Sequence, residues 1–166
     1  MKDLKTLLQQ RFKGAKRITV LGIGSDLRGD DAAGMLIAEE LDKFRKRTTL
    51  KVKVKVLFGA TAPESLTGAI KKTKPTHLLI IDAADTNKAP GTVVALDAQT
   101  VGGVSFSTHS LPLKIMIDFL LKDCPCAVTV LGIQPKDLDF GSAVSVPVRK
   151  SIKEISAMLQ DIMREI

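Results

Sequence analysis

The sequence predicts an α/β fold in three layers, α/β/α, with a central, mainly parallel sheet of five strands. Short apolar segments of strand length alternate along the chain with longer segments in which apolar residues recur at helical spacing. Several of the short segments have no polar face, and such strands are usually covered on both sides, as in a parallel sheet. Because no repeat, low-complexity tract or linker divides the 166 residues, we expect a single domain over residues 1–166.

Five strands and five helices account for most of the chain. Leu4, Leu8 and Phe12 fall at helical spacing, so a helix opens the chain, and we treat residues 1–16 as an N-terminal helical extension of the domain. The predicted strands span residues 17–22, 50–58, 76–83, 92–96 and 127–133, and the predicted helices span about 4–12, 31–46, 63–72, 111–121 and 146–164.

The second and third strands should occupy different places in the sheet. Residues 50–58 alternate lysine with valine, so Val52, Val54 and Val56 are expected to face inwards and the lysines outwards. A lysine face suits a strand near the sheet edge, where it also discourages aggregation. Residues 76–83, THLLIIDA, form the most hydrophobic strand, which we therefore place at the centre.

The composition argues against several classes of function. The chain has no Trp, no Tyr and six Phe, so a nucleic-acid platform of stacked aromatic rings is not expected. The net charge of +7 is spread over short segments, which indicates a solvated surface, with a basic face for an acidic protein partner as the alternative. The N-terminus lacks the apolar stretch of a signal peptide, and no apolar run approaches the ~20 residues of a membrane span. We expect a cytoplasmic monomer that neither enters a membrane nor binds nucleic acid.

The two cysteines, Cys124 and Cys126, flank one proline. Residues two apart are poorly placed for a disulfide, because the bond has strict geometry. A pair alone also does not complete a zinc site, which usually needs four ligands. We interpret both as small residues that lead into a strand.

Polar residues collect at the carboxyl ends of the predicted strands, which is where α/β sheets bind ligands. The first strand is followed by a loop with Asp30 and Asp31, the third strand ends at Asp82, and the loop before the fourth helix holds His109. The second strand is followed by Gly59-Ala60-Thr61. Three ligand-type side chains therefore converge on one rim: Asp31 or Asp30, Asp82 and His109.

Two carboxylates and one imidazole suit Zn, Ni, Mn or Fe(II) and leave coordination positions open. Each residue also has a structural interpretation. Asp30 and Asp31 could cap the following helix, and capping is the favoured interpretation for Asp30. Asp82 ends an apolar strand, where a carboxylate is costly unless it is paired or bound. His77, the other histidine, starts a strand and is interpreted as a surface residue.

The glycine-rich loop after the first strand matches no nucleotide site well. Gly22 and Gly24 follow a strand, as in a dinucleotide fingerprint, but Leu27 stands where the third glycine belongs. The second strand ends at Phe58-Gly59, without the expected acidic residue. The chain also has no P-loop, no nucleophile elbow and no H-E-x-x-H motif. Nucleotide binding is therefore a minor hypothesis.

Six short motifs together resemble one known family, the hydrogenase maturation endopeptidases. They are G-x-G-S-x-L-R-G-D-D-A-A-G (22–34), G-A-T-A-P-E (59–64), L-L-I-I-D-A-A-D (78–85), P-G (90–91), S-T-H-S-L-P-L (107–113) and L-G-I-Q-P (131–135). The sequence is most similar to the branch that serves formate-hydrogenlyase-type, group 4 hydrogenases. The resemblance runs from about residue 18 to the C-terminus, and the first dozen residues are not typical of the family.

This resemblance implies a phosphorylase/hydrolase-like fold and a defined reaction. The protein is expected to be an endopeptidase that removes the C-terminal extension from the nickel-loaded large-subunit precursor of a [NiFe] hydrogenase. The resemblance also implies that Asp31, Asp82 and His109 bind nickel; the family often has Glu at the first position, and Asp31 keeps the carboxylate on a shorter arm. The nickel is expected to arrive with the substrate, so the isolated enzyme is expected to be metal-free.

The sequence leaves more than one mechanism and more than one class of function open. Asp31 and Asp82 are the expected catalytic residues, in an aspartic-type reaction with a carboxylate base or in a metal-assisted one. The loop Gly59-Ala60-Thr61 either accepts the substrate tail through its backbone or merely turns the chain. The rival functions are a non-enzymatic metal-binding or nickel-recognition module on the same rim, and a general peptidase on the same fold.

Overall fold

The computed structural model describes residues 2–106 and 113–166. The strands are β1 (Arg17–Ile23), β2 (Lys53–Ala60), β3 (His77–Asp85), β4 (Val93–Leu96), β5 (Ser105–Phe106) and β6 (Ala127–Ile133). The helices are α1 (Lys2–Arg11), α2 (Ala33–Arg47), α3 (Thr67–Thr73), α4 (Leu113–Asp123) and α5 (Val146–Glu165). Short 3-10 turns span Gly29–Ala32, Pro63–Leu66 and Val101–Gly103.

The main sheet has the strand order β2-β1-β3-β6-β4. Strands β2, β1, β3 and β6 are parallel, whereas β4 runs antiparallel to β6 at the edge. The two-residue strand β5 pairs antiparallel with the end of β3. The predicted sheet of five mainly parallel strands, with its most hydrophobic strand at the centre, is therefore confirmed.

Two apolar clusters cover the two faces of the sheet. Strand residues such as Val20, Leu79 and Ile81 pack with α1, α2 and α5 on one face. Strand residues such as Leu21 and Ile80 pack with α3 and α4 on the other face. Each fully buried aliphatic side chain stabilises the fold by about 1.5–3 kcal/mol relative to an exposed one. The predicted three-layer arrangement is thus the observed one.

Strand β2 occupies the edge position that its lysines predict. Val52 and Val56 are buried and Val54 is half-buried, while Lys53 and Lys55 are exposed. The period of two in the sequence therefore sets the orientation of the whole strand.

The N-terminal helix is packed into the core. Leu8 and Phe12 are fully buried in the cluster that α2 and α5 also form. The guanidinium of Arg11 donates a 2.6 Å hydrogen bond to the carbonyl oxygen of Leu96 at the end of β4. The ring of Phe12 lies edge-on to His77, with 5.9 Å between ring centroids. His77 starts β3, as predicted, and its side chain is half-buried at the surface.

Three smaller features complete the comparison with the sequence. Both cysteines are free thiols, and burial raises the pKa of Cys126 to about 11. The predicted helix start at residue 31 falls inside a 3-10 turn, and α2 itself begins at Ala33. Among residues 2–106 and 113–166, no helix combines the length and apolar composition needed to cross a membrane.

Candidate active site

Glycines allow the start of α2 to rest on the carboxyl ends of β1 and β3. A Cβ atom on Gly34 would lie 2.2 Å from the carbonyl oxygen of Ile81 and 2.3 Å from that of Ile23. A Cβ atom on Gly22 would lie 2.5 Å from the Cβ of Ala38. Larger residues at these positions would push the helix away from the strands. The turn that precedes α2 is therefore held over the strand ends.

Asp31 lies in this turn and is fully buried. Its Oδ2 accepts a 2.8 Å hydrogen bond from the backbone N–H of Ser25. Gly24 has a φ of +128°, and a Cβ atom there would lie 1.8 Å from the carbonyl oxygen of Asp31. Only glycine fits this position. The N-cap position of α2 is occupied by Ala32, and Asp31 precedes it within the 3-10 turn.

Asp82 is on β3, opposite Gly132 of β6, and it is also fully buried. Side chains alternate along a strand, so Asp82 shares the sheet face of Leu78 and Ile80, which α3 and α4 cover. Ile81, its neighbour, carries the carbonyl oxygen closest to Gly34. Asp31 and Asp82 thus both lie at the carboxyl ends of the strands, the edge at which α/β sheets bind ligands, and their joint role in one site stays a prediction.

Asp30 has a different role from the predicted helix cap. Its carboxylate accepts hydrogen bonds from the backbone N–H groups of Lys136 (2.7 Å), Asp137 (3.1 Å) and Ser145 (2.7 Å), and from the Ser145 hydroxyl (2.8 Å). It makes no capping bond to α2. Asp30 therefore joins the loop after β1 to the loop after β6. These hydrogen bonds engage both carboxylate oxygens of Asp30, so Asp31 stays the predicted site residue of the two.

His109 lies outside the described residues, together with Ser107 and Thr108. Nearby described positions show where the chain runs before this segment: Phe106 pairs with Ala84, two residues after Asp82. Within the described ranges, no group of three or more His, Cys, Asp or Glu side chains is placed to hold a metal ion. The role of His109 stays a prediction.

The predicted substrate loop Gly59-Ala60-Thr61 borders the same rim. Ala60 has a left-handed backbone with a φ of +45°, which costs a non-glycine residue about 1–3 kcal/mol and is frequent at functional sites. Its carbonyl oxygen accepts a 2.9 Å hydrogen bond from the N–H of Gly24. The loop is therefore tied to the segment that positions Asp31. Ala60 and Thr61 are exposed to solvent.

Gln134 organises the rim after β3 and β6. Its Oε1 accepts hydrogen bonds from the backbone N–H (2.7 Å) and hydroxyl (2.9 Å) of Thr86 and from the N–H of Lys88 (3.3 Å). Its Nε2 donates to Asp85 at 3.3 Å. Gln134 thereby fixes the segment that follows Asp82, a role that its place after a strand only partly suggested.

A groove of about 710 Å³ lies along α2 and α5. It is lined by Leu36, Val144 and Ile152 among others, and neither Asp31 nor Asp82 contributes to it. The charged residues that line the groove, Glu40, Arg149 and Lys153, are exposed to solvent, whereas Asp31 and Asp82 are fully buried at the strand ends. We therefore place the candidate active site at the rim.

The fold and the rim define an α/β protein with an acidic site at the carboxyl ends of its strands. Residues 35–162 match the family described as hydrogenase maturation protease. The Hydrogenase 3 maturation protease of Escherichia coli is 32% identical, with 85% of this chain and 87% of that protein aligned. A relative from Methanocaldococcus jannaschii, also assigned to hydrogenase maturation, is 34% identical, with 98% of each chain aligned.

Solved structures agree with the sequence relatives. The [NiFe] hydrogenase maturation protease HycI of Thermococcus kodakarensis superposes with a TM-score of 0.85 at 29% identity, covering 95% of this chain and 98% of that one. The endopeptidase HycI of Escherichia coli superposes with a TM-score of 0.74 at 31% identity, covering 87% and 90%.

The chain belongs to the hydrogenase maturation protease family. The resemblance inferred from the six motifs is therefore confirmed, and so is the expectation of a protease. A non-enzymatic binding module is not favoured. The alignment with the Methanocaldococcus jannaschii relative covers 98% of this chain, so it includes most of the N-terminal helical segment.

Proposed function

We propose that this protein is the endopeptidase that removes the C-terminal extension from a nickel-loaded [NiFe] hydrogenase large-subunit precursor. The observation that carries the proposal is the pair of fully buried carboxylates, Asp31 and Asp82, on one rim of a chain of this family. Buried carboxylates are costly to a fold unless they are paired or bound, and they gather where chemistry needs them. The expected precursor is that of a formate-hydrogenlyase-type hydrogenase, and the enzyme acts as a cytoplasmic monomer.

Nickel enters this proposal as part of the substrate. Asp31, Asp82 and His109 contact the ion that the precursor carries, and two carboxylates with one imidazole are ligands that suit Ni²⁺. Three ligands from the enzyme leave the remaining coordination positions of the ion to the precursor. A precursor without nickel therefore lacks the ion through which these three residues would bind it. Asp31 and Asp82 have no exposed surface, so the precursor must displace the atoms that cover them.

Cleavage requires water to attack the carbonyl carbon of the scissile peptide bond. In the carboxylate route, one of Asp31 and Asp82 accepts a proton from the attacking water, and a proton passes to the leaving amine. Two neighbouring carboxylates that share a proton provide both the base and the acid. In the metal-assisted route, the substrate's nickel polarises the same carbonyl or water, and the carboxylates orient it.

The loop Gly59-Ala60-Thr61 borders the path of the substrate tail. Its two exposed residues and the strained backbone of Ala60 support a role in holding an extended peptide through backbone groups. The hydrogen bond from Gly24 to Ala60 couples this loop to the segment that holds Asp31. The same hydrogen-bonded loops would then position both the C-terminal extension of the precursor and its scissile peptide bond.

The test is to incubate the protein with nickel-loaded precursor and to measure the mass of the precursor. We expect loss of a C-terminal peptide with the wild-type enzyme, and no loss with nickel-free precursor. Asp31→Asn and Asp82→Asn should each abolish cleavage, because they keep side-chain volume and remove the charge. Asp26→Asn is the matched control, since Asp26 is exposed in the same loop. The proposal would be overturned if the enzyme cleaved unrelated peptides, or if it cleaved none of the cognate precursors.

A further inference from the structure

Two exposed apolar side chains, Leu27 and Phe140, stand beside the rim; we call them the rim ledge. Phe140 is 78% exposed and Leu27 is 57% exposed. All six phenylalanines lie in the described part of the chain, and Phe140 is the most exposed of them. A single exposed apolar side chain is ordinary, but Leu27 and Phe140 lie on two loops whose backbones are hydrogen-bonded to each other beside the rim, so they are considered together.

Backbone hydrogen bonds hold the two sides of the ledge together. The N–H of Gly141 donates to the carbonyl oxygen of Leu27 at 2.8 Å, and the N–H of Gly29 donates to that of Ser142 at 3.2 Å. The guanidinium of Arg28 donates to the carbonyl oxygen of Leu138 at 3.2 Å. The loop after β1 and the loop after β6 thus form one paired unit.

The buried side chain of Asp30 stabilises this pair of loops. Its buried carboxylate accepts the four hydrogen bonds that fix Lys136, Asp137 and Ser145. Charge-assisted hydrogen bonds of this kind are about twice as strong as neutral ones. The exposure of Leu27 and Phe140 is therefore a property of an anchored surface. An anchored apolar surface loses little conformational entropy on binding, which favours a role in recognition.

The position of the ledge identifies its occupant. Leu27 lies in the short loop between Ser25 and Asp31, which are joined by a hydrogen bond of 2.8 Å. A stable protein contact covers about 800 Å² on each partner, far more than two side chains supply. A protein that docks on the ledge would therefore also cover the adjoining surface, which is the rim that holds Asp31. The partner that covers both is the substrate of the rim.

We propose that Leu27 and Phe140 form the docking surface for the folded body of the large-subunit precursor, which meets them with an apolar patch near its C-terminal extension. This inference rests on the proposed function and adds the residues that select the substrate. Phe140 is the expected anchor, because a phenylalanine side chain buries a large apolar area when a partner covers it. Asp30 is the positioning residue that holds the anchor in place.

The experiment compares Leu27→Ser, Phe140→Ser and the double variant with wild type. The matched control is Phe119→Ser on α4, since Phe119 is 50% exposed and its ring lies 4.3 Å from the Lys71 ammonium, away from the ledge. The dissociation constant of nickel-loaded precursor is measured directly, and kcat and KM are measured from precursor mass. We expect Phe140→Ser to raise both Kd and KM about tenfold or more. We expect kcat to stay within about twofold and Phe119→Ser to match wild type.

The outcomes separate this inference from the proposed function. Wild-type cleavage with Kd and KM unchanged in the double variant would overturn the docking surface and leave the protease intact. Ledge-dependent binding without any cleavage would overturn the protease and leave the docking surface intact. A protein that sediments as a dimer, and as a monomer after Phe140→Ser, would assign the ledge to a second copy of this chain and overturn the proposal.

Discussion

The backbone N–H of Ser25 and the carboxylate of Asp31 are joined by a 2.8 Å hydrogen bond that closes the loop after β1 onto the turn before α2. The contact requires Gly24 to adopt a φ of +128°, a conformation that side-chain-bearing residues rarely adopt. The orientation of a proposed catalytic carboxylate thus depends on a residue without a side chain.

Gly24→Ala should therefore damage both stability and cleavage. The added Cβ would lie 1.8 Å from the carbonyl oxygen of Asp31, so the loop must move. We expect the free energy of unfolding, measured in urea, to fall by at least about 2 kcal/mol. We expect kcat for precursor cleavage to fall about a hundredfold, because small displacements of a reacting group are costly.

The control for Gly24→Ala is Gly68→Ala in α3. A Cβ on Gly68 meets no atom within 4 Å, and alanine in a helix is favoured over glycine by about 0.5–1 kcal/mol. This variant should cleave normally and unfold at slightly higher urea. Equal behaviour of the two variants would show that the Gly24 conformation does not position Asp31.

Asp30→Asn should destabilise the fold through the loop after β6. Asparagine offers one acceptor oxygen where the carboxylate accepts four hydrogen bonds, and its NH₂ group would face N–H donors. We expect the free energy of unfolding to fall by about 2–4 kcal/mol. Asp26→Asn, an exposed change in the same loop, should stay within about 0.5 kcal/mol of wild type. Equal stability of both variants would contradict the anchoring role.

Asp30 also shows where sequence reasoning stops. The strands, the helices and the rim position of Asp31 and Asp82 were predictable, because apolar periodicity and the rule on strand ends act over a few residues at a time. The partners of Asp30 lie more than a hundred positions further along the chain. Asp30 and Asp31 are adjacent and identical in type, so the sequence alone does not show which of them binds the loop after β6 and which is the candidate site residue.

Short and isolated features were missed for the same reason. Strand β5 has two residues, too few to show a period, and it exists only because it pairs with the end of β3. Phe140 is a single apolar residue in a polar loop, so the sequence gives no sign of its position. The structure places it beside the rim because the N–H of Gly141 donates a hydrogen bond to the carbonyl oxygen of Leu27. The segment with His109 lies outside the described residues, so the third predicted nickel contact has no structural test.

His77 should make stability depend on pH. Burial lowers the pKa of His77 below its ordinary value of 6.5, against a smaller opposing effect of a hydrogen bond with the backbone of Arg11. The unfolded chain therefore binds this proton more tightly than the folded chain. The contribution of neutral His77 to the free energy of unfolding is fully present above about pH 6.5 and is lost as the pH falls below that value. Urea unfolding at about pH 7.5 and 5.5 should show a smaller decline for His77→Gln than for wild type. The same decline in both proteins would rule out His77 as its source.

Phe12→Ala should show that the N-terminal helix belongs to the folding unit. Phe12 is fully buried and packs in the cluster that also contains residues of α2 and α5. Removal of a buried phenylalanine ring costs about 3–5 kcal/mol, because it loses apolar burial and leaves a cavity. One cooperative urea transition, shifted by that amount, is the expected result. Lys13→Ala, an exposed change one residue further on, should leave the transition in place. If Phe12→Ala unfolded like wild type, α1 would be an appendage on an otherwise complete domain. Cleavage by the folded fraction should be unchanged, because Phe12 contacts His77 at the start of β3, whereas Asp82 lies near the opposite end of that strand.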